Sequence, residues 1–218
     1  MAHGALVKSE GLVLLFSTDR MGKYLHYKSA DHIAPDTAPD PYLRPSFPFA
    51  NRVKRLAWNL CWLLLYRASP RPLHAWRAML LRAFGAKMGP HCHFYPASRV
   101  WAPWNLTCAD EVGVADGAEI YNPAPVQIGS HAILSQGAYI CGATHDMDDP
   151  AFPLLAYSMS IGEYAWVCAR AVVSPGINIG KGAVLGLGSV ATRDLEPWGV
   201  YGGVPAVKIK DRKRMPSV

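Results

Sequence analysis

The chain has 218 residues and a mass of 23.8 kDa, which suits one ordinary domain with an appendage and excludes two large catalytic domains. Half of the residues are apolar and 17% are charged, so the chain can bury a core and is not of the disordered class. The net charge of +6 is uneven: between Asn105 and Pro197 there are three Lys or Arg residues against ten Asp or Glu, so the two ends are basic. This pattern predicts anionic partners at particular places and disfavours a nucleic-acid surface across the whole domain.

The first fifty residues show little regular pattern. Five prolines fall between Pro35 and Pro48, which predicts an extended arm. The apolar patch Gly11–Phe16 is shorter than the core of a signal peptide, and no apolar run approaches the length of about eighteen residues that a bilayer needs, so neither export nor a transmembrane helix is expected. The five cysteines are odd in number and include no CxxC pair, which disfavours a disulfide scaffold or a zinc ribbon and predicts a cytoplasmic protein.

A helical pattern begins at Arg52 and ends near Phe84. Apolar residues recur there every three or four positions, with a break at Ser69–Pro72, so the sequence predicts a hairpin of two short helices. The predicted stripe of the first helix consists of Val53, Leu56, Ala57, Leu60, Leu63 and Leu64. Two interpretations stay open: the stripe packs on the open end of the next domain, or, because basic residues flank it, the helix makes a peripheral contact with a membrane.

A six-residue repeat follows the helices. A mostly aliphatic slot recurs at every sixth position, and the slot four positions later is small or aliphatic. The first slot holds three runs: Cys108, Val114 and Ile120; after a two-residue slip, Ile128, Leu134 and Ile140; and after the loop that follows His145, Ile161, Val167, Val173, Ile179, Leu185 and Ala191. Glycine directly after this slot, as at Gly162 and Gly180, is expected to supply backbone freedom at the bends.

A period of six fits neither one face of an α-helix nor a single strand, but it fits a solenoid in which three hexads make one triangular turn. The twelve hexads predict a mainly β fold, a parallel β-helix of roughly four coils. A sandwich of short strands is the weaker alternative, because sandwich strands keep no fixed period. Four parts are predicted: an extended arm (residues 1–50), a helical cap (51–90), a hexapeptide-repeat domain (91–206) and a basic tail (207–218).

The repeat, the loop after His145 and the ending Gly202–Ala206 resemble the hexapeptide-repeat acyltransferases, which have a left-handed parallel β-helix. Within that family, Trp76–Lys87, Pro103–Leu106 and His145–Phe152 are similar to the acetyltransferases of exopolysaccharide clusters, such as that of colanic acid. The resemblance covers about residues 50–212. It implies a homotrimer that transfers an acetyl group from acetyl-CoA to a hydroxyl of a sugar or saccharide precursor.

Acetyl transfer to a hydroxyl needs a base that takes the proton and donors for the oxyanion. His145 ends a regular run of hexads and begins an interruption that lasts until Ile161, and loops that leave a rigid scaffold often carry functional residues. We therefore expect His145 to be the general base. Its alternative role is a hydrogen bond that only holds the loop.

Two polar residues are candidates for binding the acceptor. Asp146 follows His145, and either it orients His145, binds the acceptor or caps a turn. Asn122 falls near the acceptor-side position that the resemblance implies, and a turn-forming role beside Pro123 is its alternative.

The resemblance also implies that coenzyme A lies in a groove between neighbouring chains. Carried over by position, the residues toward it are Trp166, Cys168, Ala169, Leu187, Thr192, Arg193 and Lys208. Ala169 stands where relatives often have Gly or Ser, so an oxyanion donor here is expected to be a backbone N–H. The alternative for Arg193 and Lys208 is ordinary surface charge.

The same residues allow two other interpretations of the function. A zinc hydro-lyase like the γ-type carbonic anhydrases needs three histidines across a subunit interface, whereas the twelve hexads and the loop between them, from Cys108 to Leu195, have only His131 and His145. A non-catalytic scaffold is the third interpretation. No metal is expected, and a covalent route through Cys141 or Cys168 is disfavoured because no basic residue is paired with either thiol in the sequence.

Overall fold

The computed structural model describes residues 45–214, so most of the predicted arm and the last four residues lie outside the described residues. Helix α1 (Phe49–Cys61) continues into a π-helical segment, Trp62–Tyr66. After a short connection, helix α2 (His74–Ala83) completes the helical unit. None of the helices in the described part is both long and apolar enough to cross a membrane.

From Lys87 onward the chain forms short strands connected by tight turns. In chain order they are β1 (Lys87–Met88), β2 (His93–Phe94), β3 (Arg99–Val100), β4 (Leu106–Cys108), β5 (Gly113–Val114), β6 (Glu119–Tyr121), β7 (Val126–Ile128), β8 (Ile133–Leu134), β9 (Tyr139–Cys141), β10 (Ala143–His145), β11 (Leu154–Ala156), β12 (Met159–Ile161), β13 (Trp166–Val167), β14 (Val172–Val173), β15 (Val184–Leu185), β16 (Val190–Ala191), β17 (Gly199–Gly202) and β18 (Val207–Asp211). A 3₁₀ turn, Pro103–Asn105, precedes β4.

Three parallel sheets form the faces of a triangular solenoid. Face 1 contains β1, β4, β7 and β12 and continues through bridges at Ile179 and Leu195; face 2 contains β2, β5, β8, β13, β15 and β17; face 3 contains β3, β6, β9, β14 and β16. The final strand β18 pairs antiparallel with β17. The predicted mainly β solenoid is therefore confirmed.

The solenoid has about six turns where the sequence predicted roughly four coils. The twelve hexads correspond to four middle turns, and an additional first turn runs through Met88, Phe94 and Val100, which pair in register with the next turn. A last, partial turn contains Leu195 and Tyr201. Neither turn continues the six-residue period directly: an eight-residue step separates Val100 from Cys108, and a four-residue step separates Ala191 from Leu195.

The core is a set of columns made by equivalent residues on successive turns. On face 2 the column consists of Phe94, Val114, Leu134, Val167, Leu185 and Tyr201, each at most 7% exposed. Stacking of equivalent apolar side chains removes them from water along the whole solenoid axis, which is the main stabilising contribution in such a fold.

Glycine in the slot after the aliphatic residue has a different role from the one expected. Gly129, Gly162 and Gly180 do not have positive φ; instead, a Cβ at each would lie 2.5 to 2.6 Å from a backbone atom of the next turn. Close approach of adjacent turns, not conformational freedom, therefore requires glycine at this corner.

The helical unit covers the open edge of the first turn with hydrogen-bond donors. The indole N–H groups of Trp58 and Trp62 donate to the carbonyls of Val100 (2.7 Å) and Ser98 (2.9 Å), and Arg77 Nε donates to the carbonyl at the end of β2 (2.6 Å). These carbonyls belong to edge strands with no preceding turn to pair with. The helices therefore satisfy an edge that would otherwise expose unpaired backbone groups.

The predicted packing face of α1 is wrong. Trp58 and Tyr66 are 1% exposed and face the solenoid, whereas Leu56 and Leu64 of the predicted stripe are 61% and 64% exposed. The stripe is the more aliphatic face of the helix, but the edge strand needs hydrogen-bond donors, and aromatic residues with an N–H or O–H supply both apolar area and a donor.

Candidate functional site

The interruption in the repeat is a β-hairpin that leaves the corner between faces 3 and 1. Strands β10 and β11 pair antiparallel, with His145 opposite Leu154. The tip of the hairpin is shaped by two side-chain turns, in which Asp146 accepts the Asp148 N–H (3.0 Å) and Asp149 accepts the Ala151 N–H (2.8 Å). The hairpin and its hydrogen-bonded turns therefore hold His145 in place at the end of β10.

The imidazole of His145 is oriented by a backbone carbonyl. Its Nδ1 lies 2.6 Å from the carbonyl oxygen of Phe152, and because a carbonyl can only accept, Nδ1 carries the proton. Nε2 is then the acceptor nitrogen of the neutral ring, on an exposed side chain. Phe152 has a positive φ of 45°, an uncommon conformation for a non-glycine residue. No residue type marks this carbonyl in the sequence, because every residue supplies one.

The two acceptor candidates differ in their surroundings. Asp146 is half-buried, and the carboxylate oxygen that accepts the Asp148 N–H supports its turn-capping role. The side chain of Asn122 is fully buried and pairs with both backbone groups of Ala102: Oδ1 accepts the N–H (2.9 Å) and Nδ2 donates to the carbonyl (2.8 Å). Asn122 therefore holds two turns together and presents no exposed atom to an acceptor, which corrects the expectation for it.

Three residues expected toward coenzyme A share the corner between faces 2 and 3. Ala169 and Leu187 stack on successive turns, because the Gly188 N–H donates to the Ala169 carbonyl (3.0 Å). Gln136 is the equivalent residue one turn earlier, and its carbonyl accepts from Arg170 (2.9 Å). The backbone of successive turns is therefore stacked along this corner. Leu187 adds an apolar side chain there that is 76% exposed. Cys168 precedes Ala169 on this corner, and its thiol pKa is raised by burial, so the thiolate that a covalent route would need is disfavoured at neutral pH.

Trp166 lies on face 2, beside this corner. Its indole N–H donates to the Ser135 hydroxyl (2.8 Å), and the ring forms part of the wall of a groove of about 430 Å³. His131 lies in the same groove, 2.7 Å from Glu111 and stacked on Tyr164 with ring centroids 4.6 Å apart. His131 and the His145 loop are therefore on different corners of the chain.

The remaining predicted residues lie elsewhere. Thr192 and Arg193 follow β16, at the corner between faces 3 and 1. The His145 loop leaves the same corner two turns earlier in the chain. Lys208 is on β18 at the edge of face 2, where its ammonium donates to Asp211 (2.9 Å) and Glu196 (3.0 Å). These two hydrogen bonds raise the pKa of Lys208, which remains a cation.

The described residues contain no cluster of metal-binding side chains. Within residues 45–214 no group of three or more His, Cys, Asp or Glu residues is placed to hold a metal ion, and the segment His91–His93 is not such a group. All five cysteines are free thiols.

Comparison with known proteins agrees with this architecture. Over 166 residues, which are 76% of the chain and 91% of the relative, the chain is 36% identical to the putative colanic acid biosynthesis acetyltransferase WcaF of Escherichia coli K12. The chain belongs to the hexapeptide-repeat acetyltransferases. No family model matches the chain.

Solved structures of this acetyltransferase family have the same fold. A hexapeptide-repeat acetyltransferase of Vibrio cholerae, solved with acetyl-CoA, matches with a TM-score of 0.69 at 20% identity, over 76% of this chain and 91% of that one. A galactoside acetyltransferase solved with coenzyme A matches with a TM-score of 0.70 at 21% identity, over 76% and 84% of the two chains.

Proposed function

We propose that this acetyltransferase moves an acetyl group from acetyl-CoA to a hydroxyl of a sugar or saccharide precursor, with His145 as general base. The observation that carries the proposal is the hydrogen bond from His145 Nδ1 to the Phe152 carbonyl, since it fixes the tautomer in which Nε2 can accept a proton. The names of the relatives support the substrates: one is named a putative colanic acid biosynthesis acetyltransferase, and another is a galactoside acetyltransferase solved with coenzyme A.

The chemistry needs one proton acceptor and one oxyanion site. Nε2 takes the proton of the acceptor hydroxyl as its oxygen attacks the thioester carbonyl. The tetrahedral oxyanion collapses, the carbon–sulfur bond breaks, and the departing thiolate of coenzyme A takes the proton from Nε2. Because Ala169 has no side-chain donor, a backbone N–H at its corner is the proposed partner of the oxyanion.

The proposed site requires two chains. His145 leaves the corner between faces 3 and 1, whereas Ala169 and Leu187 lie on the corner between faces 2 and 3 of the same prism. A closed trimer of parallel solenoids brings the loop of one chain to the corner of the next and repeats the contact three times. We therefore propose a homotrimer with three equivalent sites.

The first test replaces the base. We expect His145→Ala to lower acetyl transfer by about a hundredfold or more and to leave coenzyme A affinity nearly unchanged, because a positioned base contributes on the order of 10² to 10⁴ in rate. The measurements are release of free coenzyme A thiol with a panel of sugar acceptors, and calorimetry with coenzyme A.

The matched control is His91→Asn. His91 is an exposed histidine of the first turn with a φ of 54°, a conformation that asparagine tolerates, and it has no place in the proposed site. Its variant should keep wild-type turnover. Near wild-type turnover of His145→Ala would remove His145 from the mechanism, and failure of all acceptors and of acetyl-CoA cleavage in the wild type would contradict the enzymatic function itself.

A further inference from the structure

The exposed face of α1 is strongly apolar. We call Phe49, Val53, Leu56, Leu60, Leu63 and Leu64 the leucine stripe; these side chains are between 49% and 76% exposed. They recur every three or four residues along α1 and its π-helical extension, so they share one side of the helix. Contiguous exposed apolar residues of this extent mark an interaction surface.

The opposite face of the same helix is already occupied. Trp58 and Tyr66 are buried against the first turn, the Tyr66 hydroxyl lies 2.8 Å from the Ser98 hydroxyl, and the Arg55 guanidinium lies 3.9 Å from the centre of the Trp101 ring. Rotating the helix to bury the leucine stripe would break these contacts and uncover the edge carbonyls. The stripe therefore faces away from the solenoid as a consequence of how the end is covered.

The surroundings of the stripe have one sign of charge. From residue 41 to residue 109 the chain has ten Lys or Arg residues and no Asp or Glu. Arg52 is exposed on α1, and Arg67 is exposed directly after its π-helical extension, both beside the stripe. Lys54 is also exposed, but its ammonium lies 4.3 Å above the Trp104 ring, on the side of the solenoid. An apolar stripe flanked by cations is complementary to a surface that is apolar inside and anionic at its boundary.

Helix α2 extends the same surface. Trp76 is 38% exposed and its indole N–H donates to the Leu65 carbonyl (3.0 Å), which places it next to the end of the stripe. Met79, also on α2, is 46% exposed. Tryptophan is favoured at the boundary between lipid and water, because its ring is apolar and its N–H is polar.

We infer that the leucine stripe docks on the surface of an anionic lipid bilayer, with the basic residues beside it at the level of the headgroups. This surface is separate from the acetyl-transfer site, so the inference does not depend on the proposed function. The first turn and the turn that bears the His145 loop are two turns apart, about 10 Å at the spacing of neighbouring strands, so docking would hold the reaction site close to the lipid surface.

Flotation with lipid vesicles tests the inference on the full chain. We expect the wild type to float with vesicles that contain phosphatidylglycerol, to bind pure phosphatidylcholine at least tenfold more weakly, and to lose binding as salt is raised. Leu56→Gln/Leu60→Gln should weaken the partition more than tenfold, and Arg52→Glu and Arg67→Glu should each weaken it about fivefold or more, because each cation contributes about 1 kcal/mol at such a surface.

The matched control is Val207→Gln/Ile209→Gln. These two exposed apolar residues lie on β18 at the other end of the solenoid, so this variant removes a similar apolar area and should float like the wild type. Circular dichroism checks that each variant is folded, and light scattering reports its oligomeric state. Absence of wild-type flotation overturns the inference, and so does a folded Leu56→Gln/Leu60→Gln variant that floats normally. Dissociation of that variant into monomers without a change in flotation would assign the stripe to contacts between copies.

Discussion

Two polar side chains, His145 and Lys208, illustrate how single residues take their roles from their neighbours. His145 is oriented by a backbone carbonyl, so the base function that we propose for it does not depend on a carboxylate that could be lost by substitution. Lys208 is the opposite case, since its ammonium is held by Asp211 and Glu196, and a phosphate of coenzyme A must compete with both carboxylates. The proposed role of Lys208 can therefore be tested through its partners as well as directly.

At this scale we predict that Arg193→Ala/Lys208→Ala weakens coenzyme A binding about tenfold and flattens its salt dependence. The phosphates are the charged part of the ligand, and partly exposed pairs with them are screened over about 8 to 10 Å at ordinary ionic strength. The affinity for dephospho-coenzyme A, which lacks one phosphate, should fall less on this substitution than the affinity for coenzyme A does. Calorimetry with both ligands over a range of salt concentrations measures the affinities and their salt dependence.

The matched variant is Glu196→Gln, which removes one carboxylate from Lys208 and keeps the side-chain size. Release of Lys208 should tighten coenzyme A binding severalfold if the ammonium contacts a phosphate. Unchanged affinity and an unchanged salt slope in both variants would place Arg193 and Lys208 outside the binding site.

The sequence pointed to His145 because its position, at the end of the repeat and the start of a loop, is visible in one dimension. The partners of these residues are not visible there. The Phe152 carbonyl is common to every residue type, and Glu196 contacts Lys208 because β18 returns antiparallel along β17. Asp211, by contrast, is three residues from Lys208 on β18 itself. Asn122 is a polar residue at a position expected for acceptor binding, but only the fold shows that both polar atoms of its amide bond the Ala102 backbone of the previous turn.

At the scale of elements, the spacing between turns sets the strongest constraint on sequence. Gly162 lies where a Cβ would be 2.5 Å from the Lys181 backbone nitrogen of the next turn, whereas a Cβ at Gly113 would meet nothing closer than an Ile133 side-chain carbon at 3.9 Å. Both glycines lie within the solenoid and neither has a positive φ. Substitution of these two glycines therefore tests the effect of steric room on stability while backbone conformation is not a factor.

We predict that Gly162→Ala lowers the free energy of unfolding by about 2 kcal/mol or more, because the neighbouring backbone must move to admit the methyl group. Gly113→Ala should change it by about 0.5 kcal/mol or less. Urea unfolding followed by circular dichroism measures both, at one protein concentration, since association affects apparent stability. Equal effects of the two substitutions would contradict close approach as the reason for glycine.

The elements themselves were predictable to the extent that the sequence is periodic. The hexads gave the solenoid because each turn repeats the same environment, and the first turn was missed because Pro103–Asn105 adds two residues before the next repeat. The packing face of α1 could not be read from hydrophobicity. It depends on unpaired carbonyls such as that of Val100, which exist only once the sheet has an edge.

At the scale of the whole molecule, the proposed reaction residues are divided between corners of the prism. The loop with His145 leaves one corner, and the track of Gln136, Ala169 and Leu187 follows another. In the proposed homotrimer, the loop of each chain would meet the corner of the next chain, which would complete three sites. Assembly would then be a condition for activity and not only for stability.

We predict that two inactive variants restore activity when their chains are mixed in one trimer. His145→Ala removes the base, and Leu187→Glu places a charge on the exposed corner where the acyl donor is proposed to lie. In a random one-to-one mixture, about a quarter of the interfaces combine an intact loop with an intact corner, so co-expression should recover about a quarter of wild-type activity, whereas each variant alone stays inactive. Light scattering of the purified mixture, expected to show a trimer, accompanies the thiol-release assay. A site formed within one chain gives no recovery at all, because every chain in the mixture then carries one defect, and a monomer in solution would contradict the shared site directly.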